Sequence, residues 1–128
     1  MDCLWATARL GYVELRDGNI SESRQIFGET IKNFYEDRNT IGVVFALEGM
    51  ASLNITVGKT DQAAQLIGWA DATREAIGEP HQSLEQADAD RDIATIAARI
   101  GNAAFQEAYD EGRAMSLDEA VKYALNGE

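Results

Sequence analysis

Apolar residues along this chain return every three or four positions, the spacing of one helical face. Leu4, Ala8, Gly11, Tyr12 and Leu15 predict a first helix from Asp2 to about Arg16, stopped by Asp17-Gly18-Asn19. Ile26, Phe27, Ile31 and Phe34 predict a second, from about Ser21 to Asp37, with Asn39-Thr40 separating it from a third over about Ile41 to Val57. After Gly58-Lys59-Thr60-Asp61 a fourth, about Gln62 to Ile77, carries Leu66, Ile67, Trp69, Ala70 and Ile77. Pro80 in Gly78-Glu79-Pro80 forbids its continuation. A fifth helix, about Ser83 to Ile100, starts acidic and turns apolar at Ile93, Ile96, Ala97 and Ile100 before Gly101 closes it. A shorter helix bears Phe105 and Tyr109. The last opens at Ser116 with Glu119 three residues on, the capping-box spacing, ahead of Ala120, Val121, Tyr123 and Ala124. The pattern predicts an all-α fold of about six to seven helices.

The first four helices form two hairpins that repeat. Gly58 stands 40 residues after Gly18, and the same offset lays Ala63 on Ser23, Ile67 on Phe27, Ala70 on Thr30, Met50 on Leu10 and Ala51 on Gly11. Small falls on small and large on large, as stacked hairpins need where helices cross closely and where they pack on the next pair. Repeat 1 runs over about 2–38 and repeat 2 over about 40–78. A degenerate third hairpin with a closing helix occupies about 82–126, terminal units being atypical because one face meets water. The repeat also disposes of "GKT" at 58–60, which could end a phosphate-binding loop. Position 53 is Leu rather than the required Gly, the residues before it read as helix, and "RDGNISES" marks the same turn in the first repeat.

Composition narrows the function. The chain has 128 residues, enough for one domain with a sizeable core, and a single cysteine, Cys3, which can form no internal disulfide. No basic flank with an apolar run marks a signal peptide, and no apolar stretch is long enough for a membrane span. A cytoplasmic protein, without membrane contact, is expected. The net charge of −11 opposes direct nucleic-acid binding and reads as a solvated surface.

Leu10, Gly11, Gly18, Ser23 and Phe27, then Met50, Ala51, Gly58, Ala63, Ile67 and Ala70, resemble the tetratricopeptide signature. Thr7 and Leu47 replace its tryptophan, Glu14 and Asn54 its tyrosine, and the closing proline is missing. The longer repeat, together with "IGNAAFQEAYDEGRAMSLDEAVKYAL", resembles the C-terminal repeat region of large bacterial ATP-dependent transcriptional regulators and cyclase-associated signalling proteins. Their nucleotide-binding, DNA-binding and cyclase domains have no counterpart in this sequence. The resemblance implies a right-handed superhelix of antiparallel helix hairpins, an α-solenoid, with a scaffold or sensor role.

In that arrangement the first helix of each pair lines a concave surface. The motif's groove positions fall on Trp5, Ala8, Tyr12 and Arg16 in the first repeat and on Phe45, Glu48, Ser52 and Thr56 in the second. Such a mixture suits a protein or peptide segment. Equally, Trp5 and Phe45 could simply pack against neighbouring helices. Asp88, Asp90 and Asp92 alternate like a calcium loop, but Ile93 and Arg99 occupy its glycine and glutamate positions, so they read as a solvated helix start. His81 is the only histidine, and Arg74 and Glu75 have no convergent partner in the sequence. Trp69, Phe105, Tyr109 and Tyr123 read as core or interhairpin contacts, and Cys3 as a small packing residue or exposed thiol. Catalytic, metal and cofactor residues are expected to be none. The expectation is a non-catalytic interaction module that binds a protein segment on its concave face, with a small-molecule sensor as the alternative. Leu4, Trp5 and Leu15 begin the array with no preceding cap, so a homodimer through the N-terminal hairpin is also expected.

Overall fold

The computed structural model describes residues 4–81 and 83–126. Asp2 and Cys3 lie outside them, as does the side chain of Leu4, so their expected roles go without structural comment. The described residues form seven α-helices and no strand: α1 (Leu4–Arg16), α2 (Ile20–Glu36), α3 (Thr40–Thr56), α4 (Thr60–Ile77), α5 (Ser83–Ile100), α6 (Asn102–Arg113) and α7 (Leu117–Asn126).

The first three connections are one turn used three times. Asn19 N–H donates to Glu14 O, Asn39 to Phe34 O and Lys59 to Asn54 O, while Gly18, Arg38 and Gly58 bond to Leu15, Tyr35 and Ile55. This pairing ends a helix through one left-handed residue. Glycine supplies it at 18 (φ 87°) and 58 (φ 89°), whereas Arg38 adopts φ 59° with a side chain in place. The turns therefore recur every 20 residues, and the middle one, marked in the sequence by Asn39-Thr40, differs from the other two in having no glycine.

Short turns fold α1 to α4 back on one another. α3 sits in the middle, with Val43, Val44, Ala46, Leu47, Met50, Ala51 and Leu53 at most 1% exposed, and packs against α1, α2, α4, α5 and α7. Glycines let large rings come close to helix backbones: Phe27 lies over Gly11 and Gly49, and Phe34 over Gly42. Ser23, small and polar at its crossing, donates its hydroxyl to Gly11 O at 2.9 Å and so remains satisfied while buried.

The C-terminal third is built differently. α4 meets α6 over the most extensive interface among the described residues, while α5 makes only limited contacts with either. Gly68 lies against the Tyr109 carbonyl and Gly112 against that of Gln65, so the two backbones cross with no room for a Cβ. α7 covers parts of α2, α3 and α4 and buries Ala120, Val121 and Ala124. Its start is a closed capping box: Glu119 N–H donates to Ser116 Oγ at 3.1 Å, and Ser116 N–H to Glu119 Oε1 at 2.8 Å. Among the described residues no helix is long and apolar enough to cross a membrane.

Candidate functional site

The stripes of α1, α3 and α5 face a common cleft of about 570 Å³. Of the residues expected in a groove, it is lined by Tyr12, Arg16, Phe45, Glu48 and Ser52. Trp5 instead stacks behind it, with ring centroids 4.9 Å from Phe34 and 5.5 Å from Phe45. Thr56 is exposed beyond its end and donates its hydroxyl to Ser52 O. Ala8 is buried. Phe45 has both roles, packing on Trp5 and Tyr12 while facing the cleft. Tyr12 is fixed from two sides: its ring meets Phe27 edge-on at 5.1 Å, and its hydroxyl donates to Phe45 O at 2.8 Å. The Arg9 guanidinium lies 5.8 Å above the Phe45 ring, a cation–π approach at the rim.

The opposite wall is acidic and comes from residues not expected there. Asp88 and Asp92 of α5 line the cleft, one helical turn apart, with Ala89 and Arg91. Their position was legible: carrying the offset of 40 one step further takes Glu48 to Asp88 and Ser52 to Asp92. Asp92 accepts the Ser52 hydroxyl at 2.7 Å, and Asp88 pairs with Arg91 at 2.9 Å. Asp90, between them, points away and accepts from Gln86. Arg99 farther along α5 donates to Ile55 O at 2.7 Å, a second donor to the carbonyl that Gly58 N–H already meets at the end of α3.

At the floor a polar cluster joins α3, α4 and the connection to α5. Arg74 holds both carboxylate oxygens of Glu48, Nε to Oε2 and Nη2 to Oε1, each at 2.9 Å, and its Nη1 donates to Glu79 O at 2.9 Å. His81 Nε2 lies 2.7 Å from Glu48 Oε2. Arg74 and His81, which showed no partners in the sequence, thus converge on a single carboxylate and pin the Gly78–His81 connection to α3. Glu75, also without a visible partner there, pairs with Arg113 of α6 at 2.8 Å. Burial drives the Glu48 carboxyl upward, but the hydrogen bonds from Arg74 and then His81 outweigh it and hold it below its ordinary range. The same bond to Glu48 raises His81 against the effect of burial.

Asp71 completes the floor. It accepts the Tyr109 hydroxyl at 2.6 Å, and burial raises its carboxyl above the usual range. Burial also raises Tyr109, to about 12, with the bond to Asp71 adding to it. One ligand atom each from Glu48, Asp71 and His81 lies within 4.8 Å of the others, a spacing that a metal ion could close. The chemistry of the donors opposes this, because the Arg74 guanidinium already occupies both Glu48 oxygens and places a fixed positive charge beside the spot.

No protein-family model matches the chain, and no solved structure does. Three mycobacterial proteins, one from Mycobacterium bovis and two from Mycobacterium tuberculosis, match it at 30% identity over 86 residues. Their names describe them as candidate HTH-type transcriptional regulators. The match covers 67% of this chain but only 10% of theirs, so the chain spans about a tenth of the length of these relatives.

Proposed function

We propose that this chain is a non-catalytic helical-repeat interaction module of the tetratricopeptide kind, serving a transcriptional regulator by docking a protein segment in the α1–α3–α5 cleft. One observation carries the proposal: five of the eight groove residues expected from the repeat line one concavity, over rings already held in place by packing. Such preorganisation lowers the ordering cost of binding. The names of the mycobacterial relatives support the regulatory part. Leu10, 46% exposed and outside the cleft, presents apolar surface on α1 and supports pairing of two copies through the N-terminal hairpin.

A small-molecule sensor is the second reading, favoured by the cleft's volume, which falls in the range of about 300–1,000 Å³ typical of ligand pockets. Native mass spectrometry of the protein purified from its own cells, as wild type and as Arg16→Glu, separates the two. A co-purifying polypeptide that the variant loses, at unchanged melting temperature, supports docking. A bound small mass overturns it in favour of the sensor, and a bare chain in both preparations counts against either.

A further inference from the structure

The four carboxylates that line the cleft are unequally neutralised. Glu48 is held by Arg74 and His81, and Asp88 by Arg91. Asp71 and Asp92 have only neutral hydroxyls as described hydrogen-bond donors, Tyr109 and Ser52, although both are half-buried. A carboxylate taken partly out of water gains less from one neutral donor than from a paired cation; the charges of His81 near Asp71 and Arg91 near Asp92 offset this only in part, and burial raises both above the ordinary aspartate range. Nearby, Tyr12 and Phe45 supply an aromatic surface, which favours a cation over an anion. On the α1 side Arg9 and Arg16 stand at the same cleft with the opposite sign.

From this charge complementarity we infer that the docked segment inserts a lysine or arginine side chain between the aromatic surface and the Asp71 and Asp92 carboxylates, with an acidic residue of the segment meeting Arg9 and Arg16. The inference rests on the docking function proposed above and specifies its partner: a segment of mixed charge led by a basic anchor. Arginine suits the site best, since its planar fork can serve a carboxylate bidentately and lie over an aromatic ring at once. The −11 net charge of the chain steers such an anchor toward it.

The test is selection from a displayed library of random short peptides against the whole chain, with Asp71→Asn, Asp92→Asn and Asp90→Asn as variants. Asparagine can still accept from Tyr109 or Ser52, so the fold is retained, as melting curves will check. The bound pool should be enriched severalfold in arginine and lysine. Selected peptides should bind about tenfold more weakly to either cleft variant, the loss of one charge-assisted bond. Asp90→Asn, which lies outside the cleft, should leave binding unchanged. A pool enriched instead in apolar or acidic residues, and sensitive to Arg16→Glu, would overturn the basic anchor while keeping the docking reading. Absence of any selected peptide would overturn both, and binding of agmatine alone would replace the segment with a small organic cation.

Discussion

Gly112→Ala tests the packing that sets α6 on α4. A Cβ at 112 would lie 1.8 Å from the Gln65 carbonyl oxygen, where an ordinary contact begins at 3.4 Å, so the helices must part by about 1.6 Å. The obstacle is backbone, and no rotamer change relieves it. A gap of even 0.5–1 Å forfeits about a quarter to a half of each dispersion contact across an interface, and this interface is the most extensive among the described residues. The overpacking cost then reaches the top of its usual range of about 1–3 kcal/mol or slightly exceeds it. Alanine returns about 1 kcal/mol of helix propensity, leaving a net loss of about 2–3 kcal/mol, or roughly 10 °C in Tm for a domain of this size. Gly28→Ala is the control, because Gly28 is the repeat counterpart of Gly68 and an added Cβ there meets only Leu125 at 3.9 Å. It should gain up to about 1 kcal/mol. Urea unfolding followed by circular dichroism measures both. A Gly112→Ala protein as stable as the wild type, or a Gly28→Ala protein equally weakened, would refute the proposed close crossing.

Three further outcomes are expected. Arg38→Gly should raise stability by up to about 1 kcal/mol in the same urea assay, since Arg38 is exposed and holds the left-handed position that glycine fills in the two sister turns. Arg74→Met should cost about 2 kcal/mol, less than the 3–5 of a fully buried pair because the site opens to the cleft, and it should loosen the Gly78–His81 connection as seen by amide exchange. His81 has a raised pKa in the folded chain, so its contribution is complete below the unfolded histidine value of about 6.5 and is lost as pH rises through the folded value. The wild type should therefore lose Tm relative to His81→Gln as pH is raised from about 6 to about 8; parallel profiles would show that the bond to Glu48 does not depend on the imidazolium.

Local rules and repetition determined a large part of this molecule from the sequence alone. Helical periodicity placed the first five helices to within about two residues of their described ends and found the sixth and seventh by their apolar spacing and capping box, because each buries one stripe and is stopped by turn chemistry that short-range contacts decide. The offset of 40 residues pairs Tyr12 with Ser52, and both line the cleft. Extended once more it reaches Asp88 and Asp92, which a reading of α5 as a solvated helix start passed over. Other features had no local signature. The turn at Arg38 lacks the glycine of its sister turns, so its left-handed residue was not marked although the break at Asn39-Thr40 was. Glu48, Arg74 and His81 are up to 33 residues apart and meet only when α3, α4 and the following connection pack. A glycine within a helix reads as a weak helix former whether or not another chain segment crosses it. Only the tertiary structure decided that Gly68 and Gly112 mark a backbone-to-backbone crossing while Gly28 does not, because close approach depends on which surfaces meet and not on the residues beside each glycine in the chain.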